Sequence, residues 1–314
     1  MPITLAQVAE ARRNIAGIAV RTPLVRLNTD GLGDGPEVYL KLESLQPIGA
    51  FKIRGAANIM ARTNAEKLAK GVFTASAGNM AQGVAYCARR MGIPATVIAP
   101  DTAPETKTRA VERMGGRVLR VPREDWWRTF EIRAFPGVEG TFIHAFDDAD
   151  VMAGNGTIGL ELLEDLPDMD AVVIPWGGGG LACGIASALR ALKPGVRIYA
   201  AEVSAAAPLS ASLAAGRPVE VDFQPSFIDG ISAKTVFPGM FDLGRELLDG
   251  SIVVTLDQAG AAIKLVAERA RAIIEGAAAC AVAAALTGQA GPGKVVAIVS
   301  GGNIDLAKFA ELTR

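Results

Sequence analysis

Lys52 stands in the segment Pro47-Ile48-Gly49-Ala50-Phe51-Lys52-Ile53-Arg54-Gly55, between apolar neighbours and at the start of a helical pattern. A lysine amine held out of water loses proton affinity and becomes a nucleophile and a base. A lysine in such a setting more commonly snorkels at the surface, and the segment taken alone favours that reading. Three other segments offer the amine partners: Ser76-Ala77-Gly78-Asn79, Gly177-Gly178-Gly179-Gly180-Leu181 and Val299-Ser300-Gly301-Gly302-Asn303. Together they supply a polar loop at a helix start, an anion cradle and a small hydroxyl. Chemistry through a Schiff base on a phosphorylated aldehyde needs these groups with the amine.

The tetraglycine run follows an apolar strand pattern, Ala171 to Pro175, and precedes a helical one, Ala182 to Leu192. Glycines at such a turn let backbone N–H groups approach an anion, and the helix N-terminus adds favourable partial charge. Four glycines in a row are costly to order unless something must approach the backbone, so a phosphate site is preferred here to a simple turn. The run is not GxGxxG and no P-loop lysine follows, which weakens nucleotide readings, including a dinucleotide-binding oxidoreductase. Ser76 to Asn79 suits a carboxylate or a ring hydroxyl, with plain N-capping as an even alternative. Ser300 to Asn303, alone, reads as another strand-to-helix turn.

The elements that must position these segments alternate almost throughout. Strand patterns cover Val72–Ala75, Ala95–Ala99, Arg117–Val121, Ala171–Ile174, Arg197–Ala201, Ile252–Leu256 and Lys294–Val299. Helical patterns separate them, for example over residues 80–91 and 104–114. Apolar strands joined by helices predict α/β architecture with parallel sheets buried on both faces. Candidate domain joints fall near Gln46-Pro47 and near 145–150, where Asp147-Asp148-Ala149-Asp150 precedes a helix.

Bulk properties narrow the function classes. With 32 Lys and Arg against 33 Asp and Glu, the net charge of −1 offers no basic field for nucleic acid and no polybasic membrane anchor. The three cysteines, Cys87, Cys183 and Cys280, lie far apart and suit a reducing cytosol, so a cytoplasmic location is expected. The single histidine, His144, cannot build a multi-histidine metal site. The N-terminal stretch from Met1 to Ala16 carries Glu10, Arg12 and Arg13 with no apolar signal core, and Thr4 with Gln7 reads as a capping box. The most apolar stretch, Ala277 to Leu286, is too short to span a bilayer. Adjacent Trp126 and Trp127 cannot both face a core from one helix, and surface packing is the simpler reading.

In order, these segments resemble the fold-type II pyridoxal phosphate (PLP) enzymes, in particular the serine/threonine dehydratase and serine racemase group. The likeness covers nearly the whole chain. Lys41-Leu42-Glu43 with Gln46 to Gly55, Ser76 to Gly83, Ala153-Gly154-Asn155-Gly156-Thr157, the tetraglycine loop, Asp229-Gly230-Ile231, Glu275-Gly276 and Ser300 to Asn303 fall in the family's order. The resemblance implies a tryptophan synthase β-like α/β fold with two parallel-sheet-based domains. Residues 1–46 and 149–314 would form the large PLP-binding domain and 47–148 the small one, with the cofactor in the cleft. Lys52 would hold PLP as a Schiff base, Gly177, Gly178, Gly179, Gly180 and Leu181 would bind its phosphate, and Asn79 its 3′-hydroxyl. Phe51 would pack near the ring and Ser300 would face the pyridine nitrogen. A serine leaves that nitrogen unprotonated, which makes a poorer electron sink and suits prompt elimination. Ser76, Ala77, Gly78, Met80, Asn155 and Gly230 would contact the substrate.

The implied reaction is α,β-elimination of a β-hydroxy amino acid such as threonine, serine or phenylserine to a 2-oxo acid and ammonia. Lys52 would serve as anchor and base, and the cofactor phosphate would help the hydroxyl leave. A racemase or a β-replacement transferase is the alternative on the same scaffold. Ala77 stands where the racemases carry a second serine, so no base faces Lys52 from the opposite side. Glu202 matches the carboxylate of the racemase cation site, but Pro208 replaces its aspartate, and no metal is expected. Lysine is followed by Ile53-Arg54-Gly55, not by the Asp-Arg of cysteine synthases and threonine synthase. Ala50 and Met80 replace the family's usual serine and histidine, and predict a roomier, more apolar pocket suited to phenylserine. The resemblance also implies a homodimer, and the end of the sequence at Arg314 predicts no isoleucine feedback.

Overall fold

The computed structural model describes residues 2–103 and 105–314. The chain begins with α1 (Leu5–Asn14), β1 (Leu24–Arg26), β2 (Glu37–Leu42), α2 (Lys52–Arg62) and α3 (Ala65–Ala69). There follow β3 (Val72–Ala75), α4 (Asn79–Met91), β4 (Ala95–Pro100), α5 (Glu105–Arg113), β5 (Arg117–Val121), α6 (Arg123–Ile132) and β6 (Thr141–Phe142). Next are α7 (Ala149–Asp165), β7 (Ala171–Pro175), α8 (Gly180–Leu192), β8 (Arg197–Val203), α9 (Pro208–Ala215) and α10 (Pro238–Leu247). The chain closes with β9 (Gly250–Val254), α11 (Leu256–Ala270), α12 (Gly276–Leu286), β10 (Lys294–Val299) and α13 (Leu306–Leu312). Pro104, the first residue of one expected helix, and Met1 lie outside the described residues.

Two sheets result. The six-stranded one has the order β1-β2-β10-β7-β8-β9, and the four-stranded one β5-β4-β3-β6. Every pairing is parallel except β1 with β2. The larger sheet sorts its side chains by the two-residue period of a strand. Ala171, Val173, Val295 and Ala297 enter one core with α12, while Val172, Ile174, Val296 and Ile298 enter another with α8. Each such Val or Ile removed from water contributes about 1.5–3 kcal/mol, so both faces of the sheet must be covered by helices. The alanines of α12 are buried on every side, which lets that helix lie close on the strands. Among the described residues no helix is long and apolar enough to cross a membrane.

Two differences from the sequence expectation have local causes. The strand expected over Ile252–Leu256 ends at Val254, because the Thr255 hydroxyl accepts from Gln258 N–H in a capping box that opens α11. β2 was legible only as a motif, because Glu37 and Lys41 interrupt its apolar run. Lys41 is fully buried there and pairs with Glu161 of α7 at 2.6 Å. The Thr4–Gln7 capping box forms as the sequence suggests.

Candidate active site

Lys52 is the first residue of α2, and the segment before it is zipped to the end of the last strand. Phe51 N–H donates to Ser300 O at 2.9 Å, Gly302 N–H to Gly49 O at 2.9 Å, and Ala50 bridges Gly301. The Asn303 amide donates to Ile48 O at 2.9 Å and to Asn79 Oδ1 at 2.8 Å. Three segments distant in sequence thus meet at one point. Ser300, at 2% exposed, faces inward there.

Glu275 completes this cluster. Asn79 Nδ2 donates to its two carboxylate oxygens at 2.9 and 3.1 Å. A side chain on Gly301 would meet Glu275 Oε1 at 2.6 Å, so only glycine leaves room for the carboxylate. Burial raises the Glu275 pKa to about 7, against the opposing Asn79 hydrogen bond. Sequence reasoning quoted Glu275-Gly276 as a motif but gave Glu275 no site role, and it assigned none to Asn303. A carboxylate immediately before an alanine-rich helix was the available signal for Glu275. Lys107 of α5 pairs with Asp229 beside Gly230.

The glycine loop links β7 to α8. Gly179 adopts φ +87°, a left-handed conformation that favours glycine, and it is the N-cap of α8. A Cβ on Gly178 would lie 2.2 Å from the Phe146 ring, and one on Gly180 2.5 Å from Phe146 O. Among the described residues, none of the N–H groups from Gly178 to Leu181 donates to a backbone carbonyl. Unpaired donors at the start of a 13-residue helix suit an anion in geometry and in charge. Leu181 is buried, and Gly177 abuts Gly230 O, which a Cβ would approach to 3.0 Å.

The residues just before α7 join the lysine to this loop. Lys52 Nζ donates to Ala145 O at 2.5 Å, and the amine lies 5.0 Å from the centre of the Phe51 ring. Although the residue keeps some accessible surface, loss of water around the amine lowers its pKa to about 8, with the Glu275 charge opposing. We therefore expect acylation of the free Lys52 amine, followed by peptide mass spectrometry, to show a midpoint near pH 8 instead of the ordinary 10.5. The sign for folding follows. Between about 8 and 10.5 the unfolded chain carries the extra proton, so this residue makes stability rise with pH across that window.

The remaining expected residues divide. Ser76, Ala77 and Gly78 lie half-buried at the end of β3, where Ser76 Oγ accepts from Gly78 N–H at 3.2 Å and a Cβ on Gly78 would meet open space. No side chain caps α4 at Gly78, so the N-capping alternative for this segment does not apply. Met80 is 1% exposed and packs in the buried cluster that contains Ile48, Ile53 and Val84. Ala50, fully buried at the Gly301 bridge, is likewise consumed by packing. The Asn155 amide donates to Gly180 O at 3.2 Å and so supports the glycine loop from α7, while its buried Oδ1 accepts from no group among the described residues. Glu202 accepts N–H from Leu209 and Ser210, each at 2.8 Å, and the Ser251 hydroxyl at 2.6 Å. Its carboxylate is thus turned onto the start of α9. Cys87, Cys183 and Cys280 are buried thiols whose pKa burial pushes up to about 12, which makes them unreactive.

Comparison with known proteins agrees with this geometry. Residues 15–301 match the family described as pyridoxal-phosphate dependent enzyme. The L-threonine ammonia-lyase of Thermotoga maritima is 40% identical over 308 residues, covering 97% of this chain and 76% of that protein. The structure of maize serine racemase superposes with a TM-score of 0.92 at 32% identity, covering 99% of this chain and 97% of that one. The processed form of threonine deaminase isoform 2 from Solanum lycopersicum gives a TM-score of 0.86 at 34% identity, covering 100% and 95%.

Proposed function

We propose that this chain, which belongs to the pyridoxal-phosphate dependent enzyme family, takes as substrate a β-hydroxy amino acid with a small β-substituent, threonine before phenylserine. It is a PLP-dependent hydroxy-amino-acid dehydratase, an ammonia-lyase acting by α,β-elimination. The observation that carries the reading is a desolvated amine joined through Ala145 and Phe146 to a loop of unpaired N–H groups in which side chains do not fit.

These residues fit the cofactor. Gly177 to Leu181 would hold its phosphate through backbone N–H groups, Lys52 would anchor it covalently, and Ser300 would meet its ring nitrogen. Asn79 and Glu275 would lie at its ring hydroxyl. When bound, PLP supplies the electron sink for the pair left as the substrate Cα–H bond breaks. The free Lys52 amine would remove the Cα proton, and its lowered pKa keeps a usable neutral fraction near pH 7. Ser76, Ala77 and Gly78 would hold the substrate carboxylate at the start of α4, which fixes the Cα–H bond toward that amine. Loss of the β-hydroxyl as water, then hydrolysis, yields the 2-oxo acid and ammonia.

Two observations favour a small substituent. The relatives at 36–41% identity are threonine ammonia-lyases and threonine dehydratases. Met80 and Ala50, the residues that suggested a wider pocket, are packed in the interior. We expect kcat/KM for L-threonine to exceed that for phenylserine by more than about tenfold, read as 2-oxo acid release. A preference for phenylserine would overturn the assignment. Racemisation also needs a proton donor facing Lys52, and the Ala77 methyl offers none. Formation of the D-enantiomer faster than 2-oxo acid would overturn the elimination reading. The two sheets, with strands confined to 24–42 and 171–299 in one and to 72–142 in the other, support division into domains 1–46 with 149–314 and 47–148.

A further inference from the structure

His144 has no part in the roles described so far, yet it lies at the junction of the lysine and the glycine loop. Its Nδ1 accepts N–H from Phe146 at 3.3 Å and from Asp147 at 2.8 Å. These bonds bend the segment between β6 and α7 around the imidazole. Within that turn Ala145 O faces the Lys52 amine at 2.5 Å, and the Phe146 ring and carbonyl meet Gly178 and Gly180. The ring itself is 2% exposed and sits edge-on to aromatic neighbours, 4.6 Å from Phe146, 5.4 Å from Phe130 and 5.9 Å from Phe142. Among the described residues, no other group donates to Nδ1.

We infer that His144 is a positioning residue, whose Nδ1 folds the turn that brings the Ala145 carbonyl to the Lys52 amine and Phe146 to the glycine loop. The assignment rests on the proposed function for the purpose of that amine, but not for the turn itself. An acceptor at Nδ1 requires the neutral ring with its proton on Nε2. Burial supports that state, lowering the His144 pKa to about 3, helped by the positive charges of Arg133 and Lys52. Of the nearby ionic groups, Asp147 pairs with Arg133, and its own N–H is a donor in the turn.

A simpler role, a histidine that merely fills a core, makes different predictions. Because the chain has one histidine, [15N]histidine labelling of the holoenzyme gives a single imidazole to follow by NMR. The expected spectrum shows an unprotonated Nδ1 and a protonated Nε2, unchanged from pH 8 to pH 5. A protonated Nδ1 overturns the inference in the parent protein, without any variant. Two substitutions then separate acceptor from filler. His144→Phe keeps the aromatic volume and removes the acceptor, whereas His144→Asn supplies an acceptor suited to N–H groups two and three residues on. We expect His144→Phe to lower kcat about a hundredfold with KM little changed, and His144→Asn to recover all but about tenfold of it. After cofactor removal, the Lys52 acylation midpoint should move in His144→Phe and stay near 8 in His144→Asn. Equal behaviour of both folded variants, or a parent-like His144→Phe, overturns the inference. If the parent binds no PLP, the proposed function fails, and the NMR result still decides the turn.

Discussion

Lys52→Ala is expected to reduce 2-oxo acid release by about ten-thousand-fold or more, the upper range for loss of a positioned acid–base group. The loss combines two roles in one amine. Without it the cofactor has no covalent anchor, and the Cα proton has no base within reach. The variant should also lack the yellow absorption that borohydride bleaches in the parent. Thermal stability separates this from misfolding. The amine is desolvated and its pKa is depressed, so burying it opposes folding at neutral pH. With the cofactor removed from both, Lys52→Ala should therefore melt no lower than the parent, as followed by circular dichroism. A variant with substantial residual turnover, or a yellow parent-like spectrum, would remove Lys52 from the centre of the mechanism.

The second large effect concerns stability. Arg54, two residues after Lys52, is 1% exposed and bonds Glu43 through Nε and Nη2, each at 2.8 Å. It also bonds Glu161 at 2.6 and 2.9 Å, Thr157 Oγ1 at 3.0 Å and Val20 O at 3.2 Å. Lys41 Nζ joins from β2, pairing with Glu161 and donating to Thr22 O at 2.7 Å. Two buried cations and two buried carboxylates thus tie the start of α2 to β2 and α7. Removing one member leaves a buried charge uncompensated, which costs about 3–5 kcal/mol. Arg54→Met should lower Tm by roughly 5–10 °C. Arg54→Lys should not restore it, because an ammonium cannot bridge two carboxylates in the fork geometry. Removing the exposed partner of the Arg12–Glu164 pair should cost about 1 kcal/mol or less.

The pH dependence of that loss is fixed in sign. Burial alone would raise the Glu43 pKa, but Arg54 holds it below the ordinary 4.5. In the parent its contribution is present above that value and lost as pH falls through the lower folded value. Without Arg54 the buried carboxyl prefers its neutral form, so the variant suffers most at neutral pH and least near pH 4–5. The Tm difference between parent and Arg54→Met should therefore shrink on acidification. A difference that grows as pH falls would contradict the role given to Glu43.

The amino-acid sequence by itself determined the pieces that depend on local chemistry. Runs such as Ala171–Pro175 are apolar enough to require burial on both faces, and parallel α/β architecture follows from their spacing. The tetraglycine run announced a close backbone approach, because no other residue tolerates Gly179's conformation or the crowding at Gly178 and Gly180. Their order around Lys52 was sufficient to resemble the family to which the chain belongs. Only the tertiary structure decided what each group faces. Lys52 and Lys41 look alike in sequence, yet one amine is desolvated beside a carbonyl and the other is neutralised by Glu161. Glu275, Asn303 and His144 enter the site through partners between 2 and more than 200 residues away, such as Phe146 for His144 and Asn79 for Asn303. The packing partners of Met80 also came only from the tertiary structure, because a side chain's polarity says it must be buried but not against what. Desolvation and hydrogen-bond pairing belong to the surroundings of an atom, and those surroundings exist only once the two sheets have brought their loops together.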